Sequence, residues 1–320
     1  MSPGIFDRIR EACAEVSRRA RFVRIDDEAL EQLVALLARE RPGPPALDPA
    51  HREFSDTDTT VAFVLTMNAI NFGSGWFPTL TKRKGLSGYL TIAHALRERF
   101  EKSGPWTPAQ LTTLSAADCA QTFGQPEEGG AGELMGLYAE ALQELGRFLH
   151  AEHRSRFAGP IEEARGSAER LVGILAAMPF YRDVSRYEGF EVPFYKRAQI
   201  TSADLSQALG GRGLGAFGDL DQLTIFADNL VPHTLRMFGV LRYDVRLEQK
   251  IDAGELIPSG SEEEIEIRAA ALHAVEQIVT SCHRRGWQTN AQRIDNLLWS
   301  RGQRPEIKAR PRHRTRCTYY

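Results

Sequence analysis

The chain has 320 residues, of which 42% are hydrophobic and 26% charged, the balance of a globular protein able to bury a large core. Its formal charge of −2 excludes a general polyanion binder, because nonspecific nucleic-acid affinity comes from many Lys and Arg contacts with phosphates; a discrete small-molecule substrate fits better. Cys13, Cys119, Cys282 and Cys317 stand far apart with no C-x-x-C pair, which predicts reduced, buried thiols rather than a zinc knuckle or a thioredoxin-like couple.

The opening MSPGIFDRIREAC carries charge through its first turns and lacks the apolar run of a signal peptide, and no stretch is long enough to span a bilayer. A cytoplasmic location without a membrane partner is expected. After Asp26 and Asp27, which can cap a first turn, Leu30, Leu33, Val34 and Leu37 recur at helical spacing. Leu134, Leu137, Tyr138, Ala141, Leu142, Leu145, Phe148 and Leu149 predict a long second helix. His150 and His153 could share a metal ion, yet no third ligand or H-E-x-x-H arrangement accompanies them. They read as solvated surface histidines, and no metal is expected. Leu171, Ile174, Leu175 and Met178 form another stripe that stops before Pro179.

GFEVPFY can pair locally, but nothing shows the repeated alternation a real sheet needs, so the expected fold class is all-α. Gly213, Gly215 and Gly218 satisfy G-x-G-x-x-G, a pattern that cradles pyrophosphate only after a strand and before a helix. The preceding SADLSQAL reads as helix, with Gly210 and Gly211 as its C-cap, so NAD and FAD are rejected and no cofactor is expected. From Ser261 to Cys282 an acidic first turn, SEEEIE, leads into Leu272, Val275, Ile278 and Val279 on one side of a helix. The last segment gathers Lys308, Arg310, Arg312, His313, Arg314 and Arg316. Such tails are usually disordered or bind anions loosely, although Tyr319 and Tyr320 could anchor this one to the body. RPGPPALDP, GQPEEGGAG and GGRGLGAFGDL break the pattern without marking a clean boundary, so one compact domain over 1–320 is expected, with a separate N-terminal helical layer over 1–125 as a variant.

The stretch from Phe194 to Asp244 sets Asp residues beside aromatic ones, the mixture a nucleosidase needs: a carboxylate to meet positive charge at the sugar and flat faces to hold the base. Asp228, in IFADNLVP, suits a fixed, partly desolvated carboxylate, and equally suits a cap for the helix containing Pro232. Asp204, Asp219 and Asp221 share that ambiguity. Asp295, among Ile294, Leu297, Leu298 and Trp299, is either a solvent-facing charge or a carboxylate reaching a polar pocket.

NAINFGSGW from Asn68, SGYLTIAHAL from Ser87, FYKRAQI from Phe194, DLDQLTIFAD ending at Asp228, EIEIRA near Ile265, DNLLW around Asp295 and the closing HRTRCTYY together resemble the queuosine salvage family, in order and over most of the chain. The resemblance implies an all-helical architecture similar to helical DNA glycosylases. It also implies hydrolysis of the N-glycosidic bond of queuosine 5′-phosphate, with queuine returned for use in transfer RNA. By the same resemblance Asp228 is the catalytic carboxylate, and His51, Phe226, Ala227, Asp244, Asp295 and Trp299 line the substrate pocket. Lys196 is a weaker candidate for the phosphate, its alternative being a solvent-facing helix lysine. A reading of another class is a helical nucleic-acid-binding protein or base-excision glycosylase, against which the near-neutral charge weighs.

Overall fold

The computed structural model describes residues 3–40, 50 and 53–320. It is mainly helical, and the strands among the described residues form just two short antiparallel pairs, so the all-α expectation holds. No described helix is long and apolar enough to cross a membrane. The chain divides into two compact units that interleave along the sequence: Met1–Ala46, Val184–Lys196 and Asp221–Arg316 make one, and Leu47–Asp183, Arg197–Leu220 and Cys317–Tyr320 the other.

The first unit is built around the helix Glu262–Arg284, whose N-cap Ser261 accepts from Glu264 N at 3.3 Å. Its N-terminal half is buried all round, so Glu264, Glu266 and Arg268 lie inside the protein although an amphipathic reading exposes them. Each buried charge has partners, as it must. The Glu266 carboxylate accepts from the main-chain N–H groups of Arg21, Phe22 and Val23 and from the Tyr187 hydroxyl, the last at 2.8 Å. That clamp ends the turn after the helix Ile5–Arg19, which lays Phe6, Ile9, Cys13 and Val16 against the central helix. Val23–Ile25 then pairs antiparallel with Leu241–Tyr243, Ile25 opposite Leu241. The helix Asp27–Glu40 buries Leu30, Leu33, Val34 and Leu37, as their spacing predicts, and Asp26 caps it by accepting from Ala29 N at 3.0 Å. Val184–Tyr187 and Phe190–Pro193 form a hairpin, the local pairing that GFEVPFY suggests.

The second unit packs helices at Thr57–Ala69, Gly88–Ser103, Ala116–Phe123 and Gly129–Glu152, the last burying Leu134, Tyr138, Leu142, Leu145 and Leu149. The helix Ala168–Leu175 ends ahead of Pro179. His153 departs from the surface reading. The helix stops at this residue, Arg154 and Ser155 follow in the left-handed region, and the turn folds the imidazole edge-on to Phe148 at 4.7 Å, where it is buried. His150 stays exposed. Gly210 and Gly211, at φ +60° and +67°, cap the preceding helix, with Gly211 N donating to Ser206 O at 2.8 Å, so the glycine-rich stretch is a helix end and a turn.

The C-terminal segment buries His313, Thr315, Cys317 and Tyr320, unlike a loosely attached basic tail. Within the second unit Tyr320 is buried, and its carbonyl oxygen accepts from Gly73 N at 3.0 Å and Ser74 N at 3.3 Å. Gly73, in the NAINFGSGW word, has φ +107°, where a side chain is strained, and a Cβ there would press on Leu134 Cδ1 at 2.7 Å. The anchoring role open to the terminal tyrosines is the one observed.

Candidate active site

The site residues that the structure gathers lie in the first unit, around a run from Leu223 to Ala227 that is buried yet neither helix nor strand. Irregular buried backbone must find hydrogen-bond partners outside any ladder. Two side chains furnish them. Asp295 Oδ1 accepts from Phe226 N at 2.9 Å, and Arg268 Nε donates to Ala227 O at 3.0 Å. Arg268 is itself fixed: its guanidinium lies 3.9 Å from the centre of the Phe194 ring and 3.5 Å from Glu264 Oε1, while Glu264 Oε2 accepts from Gly260 N at 2.9 Å. The peptide immediately before Asp228 is thus held from both sides.

Asp228 is half-buried just ahead of the helix Leu230–Met237. Its Oδ1 accepts from Leu230 N at 2.8 Å and Val231 N at 3.1 Å, so the capping role that the local sequence allows is present. Among the described residues no hydrogen bond falls on Oδ2. The cap therefore occupies Oδ1 alone, and the helix N-terminus fixes the carboxylate through that oxygen.

Asp295 is carried by the helix Ala291–Gly302, which Asn290 caps by accepting from Arg293 N at 2.9 Å. This helix packs on Leu230–Met237, and the approach is so close that a Cβ at Gly302 would lie 2.6 Å from Thr234 Oγ1 and 2.8 Å from Leu230 Cγ. That packing fixes the second carboxyl relative to the first. Asp295 is buried, at 4% exposure, so the solvent-facing alternative is excluded. Burial foremost and the charge of Asp228 next push its carboxyl up to about 8, against the opposing pull of Phe226 N–H and the Lys196 ammonium. Near pH 7 Asp295 carries its proton. The two carboxyl groups thus sit in unequal surroundings, Asp228 bonded to a helix N-terminus and Asp295 held neutral near pH 7.

Lys196, the first residue of the helix Lys196–Ala208, is also buried rather than solvent-facing. Its charge acts on the carboxyl of Asp295, favouring the ionised form against burial. Phe226 and Ala227 are buried beside the carboxylates, and Trp299, half-exposed, follows Asp295 by one helical turn on the same face. Asp244 is used differently: it is exposed, and Oδ1 caps the helix Val245–Asp252 by accepting from Arg246 N at 2.9 Å. His51 lies outside the described residues.

The local sequence marks Arg268 with no site role and Arg312 only as one cation of the basic tail. A charge set in the otherwise apolar run IRAAAL is the signal that could have found Arg268. Arg312 had none, being one cation among many in its segment. It is half-buried, and burial holds its guanidinium below the usual arginine range while the charge of Asp228 acts the other way. Groups of three or more His, Cys, Asp or Glu side chains able to hold a metal ion do not occur among the described residues.

A helical frame that fixes a capped carboxylate beside a neutral carboxyl and buried cations defines a protein equipped for acid–base and electrostatic work on a polar small molecule. The chain belongs to the queuosine salvage family, whose model, described as "Queuosine salvage protein", matches residues 50–320. It is similar to the queuosine 5′-phosphate N-glycosylase/hydrolase of Sphaerobacter thermophilus, 36% identical over 312 residues and 95% of each chain. It is likewise similar to the proteins of the same name from Dictyostelium discoideum, 30% identical over 98% of each chain, and Bos taurus, 28% identical over 97% of this chain and 98% of that one.

Proposed function

We propose that this protein hydrolyses the N-glycosidic bond of queuosine 5′-phosphate and releases queuine, with Asp228 as the carboxylate facing the anomeric carbon. The observation that carries the reading is the division of labour on Asp228. Two helix N–H groups hold Oδ1, and no hydrogen bond among the described residues occupies Oδ2. A carboxylate fixed in this way need not reorganise when positive charge develops on the sugar, so its full electrostatic effect is available in the transition state. Queuine is a 7-deazapurine, and the ring position usually protonated to help a purine leave is carbon. The leaving base therefore needs help elsewhere. A buried Asp295 that keeps its proton near neutral pH can donate a hydrogen bond to the base as negative charge builds on it. Water then adds hydroxide to the anomeric carbon, and its proton goes to the base.

Phe226 and Trp299 offer apolar faces to the heterocycle. Membership in the family and relatives named for this reaction over nearly their whole length support the assignment. The enzyme works in the cytoplasm, a reading supported by four buried cysteines that form no disulfide among the described residues. The test is direct: purified protein is incubated with queuosine 5′-phosphate and free queuine is sought by mass spectrometry. Recovery of intact nucleotide alone refutes the reading.

A further inference from the structure

Among the described residues five that are not glycine have positive φ, and four of them have a local reason for it. Arg154 and Ser155 follow the end of the helix Gly129–Glu152, Arg165 caps the end of Gly159–Ala164, and Glu188 sits in the hairpin turn between Tyr187 and Phe190. Tyr195, at φ +48°, is different. It stands ahead of a helix, where the backbone is ordinarily extended, and its bulky side chain makes the left-handed region unfavourable.

The residues on either side account for this. Behind Tyr195, the strand Phe190–Pro193 is fixed by its pairing, with Pro193 opposite Val184, and the buried Phe194 ring lies 3.9 Å from the Arg268 guanidinium. Ahead of it the helix Lys196–Ala208 begins at once, and Lys196 is buried with its charge acting on Asp295. One residue has to turn the chain from strand to helix between two buried side chains. An unfavourable backbone conformation persists only where its surroundings over-determine it, and such positions gather at functional sites. Here both neighbours lead to the candidate site: Arg268 donates to Ala227 O, the carbonyl before Asp228, at 3.0 Å, and Lys196 acts on Asp295.

We propose that Tyr195 is a positioning residue, whose left-handed backbone sets the Lys196 ammonium toward Asp295 while keeping the Phe194 ring against Arg268. The proposal rests on the hydrolase reading above. Tyr195 acts through its backbone and not through its ring, so a residue that accepts positive φ can replace it and one that resists positive φ cannot.

The test compares Tyr195→Gly and Tyr195→Asn, which accept positive φ, with Tyr195→Val, whose branched side chain resists it. Two quantities are read on the full chain. One is the turnover of queuosine 5′-phosphate; the other is the ionisation of Asp295, followed by NMR in protein carrying 13C at its aspartate carboxyls and assigned with Asp295→Asn. Lys196→Met calibrates the second: with the ammonium gone, Asp295 should hold its proton to a pH about one higher. Tyr195→Val should move Asp295 in the same direction and lose about 10- to 100-fold in turnover, the cost of displacing a site residue. The Gly and Asn proteins should leave Asp295 where it is and turn over at least about tenfold faster than the Val protein. Adding Tyr195→Val to Lys196→Met should shift Asp295 no further, a result that general loosening of the fold does not give. If Tyr195→Val does not fold, Tyr195→Thr, branched in the same way, takes its place. The proposal fails if Asp295 titrates in the Val protein as in wild type, or if the Gly and Asn proteins lose as much as Val, which would make the ring the working part. A wild-type protein that leaves the nucleotide intact would instead refute the hydrolase reading, and the titration would still decide the role of residue 195.

Discussion

Replacing Asp228 by Asn separates the two uses of this residue, because the amide keeps the shape and the accepting oxygen but loses the charge. The Asn side-chain oxygen can still accept from Leu230 N and Val231 N, so the helix Leu230–Met237 keeps its cap. What is lost at the helix N-terminus is a charge–dipole interaction of about 0.3–1 kcal/mol, and with Asp295 protonated near neutral pH no charge repulsion offsets it. The melting temperature should therefore move by about 4 °C at most. Turnover should fall by roughly 10²- to 10³-fold, the usual cost of removing one preorganised group that meets transition-state charge. Affinity for the ground-state nucleotide should change far less. Asp295 offers an internal check: with its charged neighbour gone, its proton should be released at a pH below about 8. The assays are thermal denaturation, equilibrium binding and single-turnover release of queuine. Near-wild-type turnover in a well-folded Asp228→Asn protein would refute the catalytic role and leave Asp228 as a cap.

The raised Asp295 makes the protonated carboxyl the working form, so kcat should hold through neutral pH and decline as pH rises through about 8; Asp295→Asn, which keeps an N–H donor, should lack that decline. Stability follows the same sign: the contribution of a group raised in the folded state is full below about pH 4 and is lost by the time pH passes about 8, so wild type should weaken relative to Asp295→Asn between about pH 4 and 8 in urea melts, and level off above that. Arg268→Ala leaves Ala227 O and Glu264 without their buried partner and should cost about 3–5 kcal/mol in chemical denaturation; a loss below about 1 kcal/mol would show that the clamp on the Asp228 segment is dispensable. Burial pushes the Cys119 thiol up to about 12 and the Cys282 thiol up to about 11, so thiol-blocking reagents should leave the native enzyme active, and activity should also persist in EDTA. Inactivation by EDTA that a single metal reverses would establish a metal requirement that no residue spacing in the sequence suggests.

Much of the fold was legible in the sequence because helices write their buried faces into it locally. Leu30, Leu33, Val34 and Leu37, or Leu134, Tyr138, Leu142, Leu145 and Leu149, need nothing but their own spacing to declare a face. The same holds for the glycine-rich stretch after Ala208, where a helix followed by Gly210 and Gly211 excludes a dinucleotide loop. Asp228 could be picked out but not assigned, since a cap and a catalytic carboxylate have the same local sequence. Tertiary structure shows the cap, on Oδ1, and a catalytic role remains the proposal that Asp228→Asn tests. His153, Lys196 and Asp295 sit at positions where an amphipathic pattern permits solvent, and burial by segments distant in sequence decided otherwise. The ionisation of Asp295, the seat of Arg268 on Phe194 and the half-buried setting of Arg312 were decided by tertiary structure alone, because desolvation and charge act through space between residues that the chain order keeps apart.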